Sequence, residues 1–472
     1  MTINIIHRAL RYFLKPVSQL SSAKKIALSF AVVIFVGSLL LSLPISQAAT
    51  SDATYFDHLF IAVSAVCVTG LWVESIFDTY STFGQFIMMM LIQIGGLGLM
   101  TFISLIYFRI GQNVRIRDQV AVSGALNNSS LNDISNWLRR IFHYTFIIEI
   151  IGALLFATYF IPTYGLQRGT FLSIFMAISA FCNAGFDPLG NSSMIGLQTQ
   201  PVVNWTIISL IILGGIGFSV WFDVANQMKK FDRSRPKSAL KKAIRQLRPH
   251  TKLALKMTIL IITLGTFLFL AFEWNNSDTI GKMSIGDKFM TAVFQTVTMR
   301  TAGFASIDYT LAHPVSILIF VVTMFIGGSP GGTAGGLKTT TFALVLMLAI
   351  AEIRQKEFVN FDKHTIPAKL LRQAFVIFLL YTTLLIIGSG LMLTFDPHID
   401  FLYVLFEAIS AFATVGVTAN LTPSLSIASQ IILMALMFIG RIGPMTMFLS
   451  LLPSKQDKKR DIKYTNTNIL IG

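Results

Sequence analysis

Apolar residues along this chain fall in long uninterrupted runs rather than in alternating or one-sided patterns. Eight runs, at about 26–46, 85–108, 142–162, 203–222, 256–273, 315–350, 371–394 and 428–450, each reach crossing length. A helix rises 1.5 Å per residue, so roughly 20 apolar residues span the roughly 30 Å hydrocarbon core. Within each successive pair of runs lies a shorter apolar segment, at about 56–68, 171–183, 287–299 and 402–414. Such segments are too short to cross and suit helices that enter and turn back. The backbone beyond each one is tolerable only where it lines protein or water. The pattern predicts an all-α polytopic membrane protein of eight transmembrane helices, arranged as four units of crossing, re-entrant segment and crossing.

Self-similarity supports the four units. The short segments end on Cys67-Val68-Thr69-Gly70, Cys182-Asn183-Ala184-Gly185, Arg300-Thr301-Ala302-Gly303 and Ala413-Thr414-Val415-Gly416, with glycines 115, 118 and 113 residues apart. Ser64, Ser179, Val297 and Ser410 stand six residues earlier, and Phe60, Phe175, Val293 and Phe406 ten earlier, so the third unit diverges most. A second glycine cluster keeps step in each following crossing: Gly95-Gly96-Leu97-Gly98, Gly214-Gly215-Ile216-Gly217, Gly327-Gly328-Ser329-Pro330 and Gly440-Arg441-Ile442-Gly443. Four such units close pseudo-symmetrically about an axis normal to the membrane and bring the short segments to the centre.

A cation entering a narrow pore must shed water, and inward-facing peptide oxygens replace that shell without a fixed countercharge. Glycine permits the tight turn that presents them. Gly70, Gly185, Gly303 and Gly416, with the carbonyls of Thr69, Ala184, Ala302 and Val415, are the candidate filter. Thr414-Val415-Gly416 matches the start of the potassium-channel filter motif and the other three units do not, which favours one carbonyl ring over several stacked sites. The short helices aim their partially negative C-terminal ends at the same point. In units one, two and four the second glycine cluster reads as close helix packing.

Unit three differs. Gly327-Gly328-Ser329-Pro330-Gly331-Gly332-Thr333-Ala334-Gly335-Gly336-Leu337-Lys338 cannot stay helical across so many weakening positions, so a broken helix with an intramembrane loop is expected about half a crossing below the filter. It reads either as a movable obstruction or as a static kink. Its Gly331, Gly336 and Lys338-Thr339 resemble a phosphate-binding loop, but the lysine is one place late and no strand precedes it.

Charge then fixes the topology and the boundaries. The net charge is +15, and 31 of the 37 Lys and Arg lie in 1–25, 109–140, 223–256, 351–372 and 451–472. These are the two ends and the three stretches between units, so the positive-inside rule makes their face cytoplasmic. The organisation follows: cytoplasmic segment 1–25, repeat one 26–108, linker 109–141, repeat two 142–222, basic linker 223–255, repeat three 256–350, linker 351–370, repeat four 371–450 and cytoplasmic tail 451–472. The basic linkers suit anionic lipid or a cytosolic partner rather than nucleic acid. The first run, preceded by Lys24 and Lys25 and followed by Ser46-Gln47-Ala48-Ala49, also has the outline of a secretory leader, but its length and its place in the repeat favour a crossing. Cys67 and Cys182 fit no metal-ligand pattern and read as small packing residues without a disulfide.

Three basic residues stand at membrane level, where charge is costly and must face protein or water. Arg441, inside the fourth glycine cluster, is placed at the axis beside the unit-three loop, either as an electrostatic barrier or as a clamp on carbonyls. Arg300, three residues before Gly303, is assigned to bracing the filter. Lys338 belongs to the loop. Glu407 on the fourth pore helix is expected to brace the filter from behind, while the partners of Glu149 are not legible.

These features resemble the Trk/Ktr/HKT superfamily of potassium transporters, most closely its bacterial KtrB-type membrane subunits, along nearly the whole chain. The filter glycines, Arg300-Thr301-Ala302-Gly303-Phe304, the loop from Gly327 to Thr340 and Arg441 carry the likeness. It implies potassium uptake across a bacterial cell membrane, often stimulated by sodium, by a homodimer under a cytosolic ring of nucleotide-binding regulatory subunits of the KtrA or KtrC type. Gly70 resembles the potassium-selective members, since some plant relatives that favour sodium carry serine there. No cofactor is expected within the chain, and no dinucleotide fingerprint occurs, so the regulator is expected as a separate polypeptide. An alternating-access transporter would use inverted repeats, whereas these run parallel. A membrane enzyme would need a nucleophile-base set or metal ligands, and the seven histidines are scattered.

Overall fold

The structure, a computed structural model, describes residues 20–98, 134–190, 193–229 and 236–451. Most of the expected cytoplasmic segment 1–25, most of the linker 109–141, part of the basic linker and the tail after Leu451 lie outside the described residues. The end of the 85–108 crossing does too.

Each unit begins with a long first crossing: Ser22–Leu41, Ile134–Tyr164, Pro249–Glu273 and Ala368–Phe395. These helices are apolar on nearly every side. Phe146, Ile150 and Leu154 on the second, and Ile386 and Leu391 on the fourth, are exposed, which is what a lipid-facing surface requires. The pore helices follow as Tyr55–Cys67, Leu166–Cys182, Ile285–Thr298 and Phe401–Phe412. Three of them start on side-chain caps that satisfy free amides: Thr54 with Asp57 in a capping box, Ser284 to the Asp287 amide, and Asp400 to the Leu402 amide. Their bodies form the core, with Phe60, Phe175, Phe294 and Phe406 fully buried.

The second crossings of units two, three and four are interrupted, the third as expected and the other two by bends the sequence did not announce. In unit one Thr82–Gly96 leads toward residues outside the described set. In units two and four the crossing is broken in two, Pro201–Gly215 with Phe218–Met228 and Ile427–Ile442 with Pro444–Leu451, each pair bent by 98°. The bends fall at Gly217 (φ +95°) and Gly443 (φ +91°), left-handed conformations that stop a helix and that a Cβ resists. In unit three Pro314–Phe325 and Thr339–Ile353 flank the expected intramembrane loop. A small antiparallel hairpin pairing Asn360–Phe361 with His364–Thr365 follows.

Glycines knit the units together. In units one, two and four a Cβ on Gly95, Gly214 or Gly440 would overlap the carbonyl oxygen of Val66, Phe181 or Phe412 at the end of the neighbouring pore helix. This is the close packing expected there. In unit three Gly327 faces the oxygen of Gly335 in its own loop instead. A further recurrence joins first and second crossings: Gly37, Gly152 and Gly388, on three first crossings, press against Leu91, Leu210 and Leu436 of the second crossing.

Candidate functional site

Each pore helix ends where two consecutive turns meet. The residue two before the filter glycine is left-handed in all four units: Val68 (φ 56°), Asn183 (φ 59°), Thr301 (φ 69°) and Thr414 (φ 52°). The glycines themselves are left-handed, with φ of 102°, 70°, 86° and 93° at Gly70, Gly185, Gly303 and Gly416. Alternating the sign of φ turns successive carbonyls toward the same side of the strand, as a lining for ions requires. A left-handed non-glycine residue costs about 1–3 kcal/mol and persists only where its surroundings hold it.

The hold is visible. The Thr69, Ala184 and Val415 amides donate to the carbonyls of Ser64, Ser179 and Ser410 at 2.8, 2.8 and 2.7 Å, closing the helix end around the left-handed residue. The serine hydroxyls take the next peptide groups. Ser64 Oγ accepts from the Gly70 amide at 3.1 Å, Ser179 Oγ donates to the Phe186 carbonyl at 2.6 Å, and Ser410 Oγ serves both the Gly416 amide and the Val417 carbonyl. The third unit is shifted by one residue rather than lacking these parts. Thr298 Oγ1 donates to the Phe304 carbonyl at 2.8 Å, the Ala302 amide donates to the Thr298 carbonyl at 2.9 Å, and Phe294 fills the phenylalanine slot.

The four turns meet in a closed ring. A Cβ on Gly185 would lie 2.6 Å from the Ala302 oxygen, and one on Gly303 2.5 Å from the Val415 oxygen. A Cβ on Gly70 would overlap the Ala184 oxygen, and one on Gly416 the Thr69 oxygen. The oxygens run in chain order around the axis, each against the glycine of the preceding unit. Opposite units also approach, since the Gly303 Cβ position is 3.4 Å from the Thr69 oxygen. All eight residues named from the sequence for the filter are therefore in one place.

The unit-three loop seats directly against the inner ends of these turns, closer than the half-crossing expected. The Gly335 amide donates to Thr301 Oγ1 at 3.1 Å, and a Cβ on Gly335 would be 2.6 Å from the Ala413 oxygen. The bend of unit two is its receptacle: the Ser329 and Thr333 amides donate to the Gly215 and Gly214 carbonyls at 2.9 and 3.1 Å, and the Phe218 amide donates to Gly331 at 2.9 Å. Thr333 Oγ1 donates to the Phe181 carbonyl at 3.1 Å. Inside the loop Gly327 and Leu337 pair, Ser329 and Thr339 share a hydroxyl contact at 3.0 Å, and the Lys338 ammonium donates to the Ala334 carbonyl at 2.6 Å.

Arg441 bridges the loop and unit one. One guanidinium nitrogen donates to the Thr333 carbonyl at 2.5 Å and the other to the Gly95 carbonyl at 2.5 Å and to Gly96 at 3.3 Å. The guanidinium thus spans carbonyls of the loop and of unit one. Glu407, fully buried, accepts from Thr418 Oγ1, from the Ala419 amide at 3.0 Å and from Thr422 Oγ1 at 2.9 Å, so it holds the strand leaving the fourth turn. Arg300, assigned to bracing the filter, is anchored within its own unit. Its guanidinium donates to Thr258 Oγ1 at 3.3 Å, which ties the turn to the first crossing of its own unit. Glu149, whose partners the sequence hides, receives both carboxylate contacts from Gln93 Nε2 at 3.0 and 3.2 Å. Cys67 and Cys182 are buried free thiols.

Comparison with known proteins gives the family and the fold. The family model described as "TrkH: Cation transport protein" matches residues 2–460. The chain is 36% identical over 448 residues to the Ktr system potassium uptake protein B of Bacillus subtilis, covering 95% of this chain and 96% of the relative. It is 34% identical over 458 residues to the potassium/sodium uptake protein NtpJ of Enterococcus hirae, covering 96% and 98%. Among solved structures, the potassium transporter TrkH from Vibrio parahaemolyticus aligns with a TM-score of 0.70 at 18% identity, over 91% of this chain and 84% of that one, a likeness of fold.

Proposed function

This chain belongs to the TrkH family of cation transport proteins, and from that premise we propose that it takes up potassium through a channel-like pore with a single ring of filter carbonyls. The observation that carries the proposal is the cyclic contact of four left-handed glycines with four carbonyls. A ring of neutral oxygens at the convergence of four helix C-termini replaces hydration water and favours a cation over an anion. The loop from Gly327 to Lys338 closes the path below the ring, and Arg441 holds it there while adding a repulsive charge. Glu407 and Arg300 keep the turns in position.

The resemblance extends the proposal to the assembly: a homodimer in a bacterial cell membrane, with both termini cytoplasmic and a separate ring of nucleotide-binding subunits of the KtrA or KtrC type acting on the loop. Sodium is proposed as stimulator, and the likeness to the potassium/sodium uptake protein of Enterococcus hirae favours testing it as cargo as well. Growth of cells lacking potassium uptake, with this chain alone and with a candidate regulatory subunit, is the test. Rescue at low potassium is expected to vanish in Gly303→Val at equal membrane abundance. Rescue that survives that substitution would refute the carbonyl ring as the conducting element.

A further inference from the structure

A cavity of about 590 Å³, separate from the pore, opens between the start of Ile134–Tyr164 and the helix Phe218–Met228. Arg139, Arg140 and His143 line it from the first helix and Lys229 from just beyond the second, with Tyr144 and Phe222 as its aromatic wall. No carboxylate stands among its described lining residues. Asp223, on the same helix as Phe222, is turned away and accepts from the Arg248 amide at 2.9 Å.

The depth of the cavity follows from helix geometry. Tyr164 stands two residues before the second pore helix, and His143 lies 21 residues, or about 32 Å, before Tyr164, one hydrocarbon thickness away. The cations therefore sit at the interface opposite the pore-helix starts. Directly beyond them on the same helix, Phe146, Ile147, Ile150, Ile151 and Leu154 are 40–65% exposed, an apolar track of the kind acyl chains cover.

We propose that this cavity binds the phosphate of an anionic phospholipid headgroup, with Arg139, Arg140 and Lys229 as its cationic ligands and the track above His143 holding the acyl chains. Phosphate is the chemistry that convergent guanidinium and ammonium donors recognise. The adjoining apolar track assigns that phosphate to a lipid rather than to a free anion, since basic pockets between crossing helices on one membrane face hold acidic headgroups.

The test uses full-length protein in detergent, titrated with dioleoyl phosphatidylglycerol, dioleoyl phosphatidylcholine or inorganic phosphate, and reads bound lipid by native mass spectrometry and thermal stability. Phosphatidylglycerol alone is expected to bind and stabilise. Arg139→Gln with Arg140→Gln should weaken it about 30-fold, and Lys229→Gln about fivefold. Lys241→Gln with Lys242→Gln, basic positions outside the cavity, should leave it unchanged. If the double arginine variant fails to fold, the Lys229→Gln titration decides. Undiminished phosphatidylglycerol binding in the cavity variants overturns the site. Competition or equal stabilisation by inorganic phosphate overturns the assignment to lipid.

Discussion

At the scale of single residues the proposed filter is held by small groups. Ser410 Oγ is both acceptor and donor to the backbone on either side of Gly416–Val417. Removing it leaves a buried amide and a buried carbonyl without that partner, at roughly 1–3 kcal/mol each. Ser410→Ala is therefore expected to fold less stably and to lose potassium-over-sodium selectivity by about tenfold in a flux assay. An unchanged selectivity ratio would show that the hydroxyl is incidental. Gly416→Ala is harsher, because its methyl would overlap the Thr69 oxygen and its φ is left-handed. Transport by a correctly inserted Gly416→Ala protein should fall below detection, and near-normal flux would contradict the ring geometry. The serines recur visibly in the sequence, but their two-sided role does not. Neither does the offset of unit three, where Thr298 and Phe294 do the same work one residue late. Left-handed Val68 and Thr414 were not legible either, since local preference opposes that conformation for branched residues and only the surrounding bonds impose it.

At the scale of elements, crossings and pore helices were legible because bilayer thickness converts apolar length directly into segment type. The 98° bends were not, because a glycine in an apolar run signals close packing and helix termination equally well; what decides at Gly217 is the Gly331 carbonyl taking the Phe218 amide. The loop was legible from composition, while its partners were set by the tertiary fold. Arg441 joins that loop to unit one, so Arg441→Ala should release it and raise resting cation flux several-fold without the regulator. Lower flux in a folded variant would argue against a restraining role. Outside the membrane, the Lys252 ammonium meets Asp362 at 2.8 Å and ties the hairpin to the third first crossing, and this hydrogen bond holds the Asp362 carboxyl below its ordinary value near 3.8. A lowered carboxylate pKa contributes stability above the unfolded value and loses it as pH falls through the folded one. Hydrogen exchange across 360–365 should thus show the same protection at pH 5 and pH 8 after correction for intrinsic rates. A marked loss of protection between those values would assign the restraint elsewhere.

At the scale of the molecule, four unequal units in one chain close a ring that is quasi-symmetric in its backbone and asymmetric below it. Among the described residues unit three supplies the loop, the bend of unit two receives it through backbone hydrogen bonds, and Arg441 beside the bend of unit four clamps it. Three peptide hydrogen bonds join the loop to unit two: Ser329 to Gly215, Thr333 to Gly214 and Phe218 to Gly331. Withdrawal of the loop leaves those six peptide groups needing new partners, and at mid-membrane depth the available one is solvent. If the proposed withdrawal of the loop is what opens the path, the inner passage must flood before an ion can pass, and osmolytes too large to enter should bias the channel shut even though they touch neither the ion nor the loop.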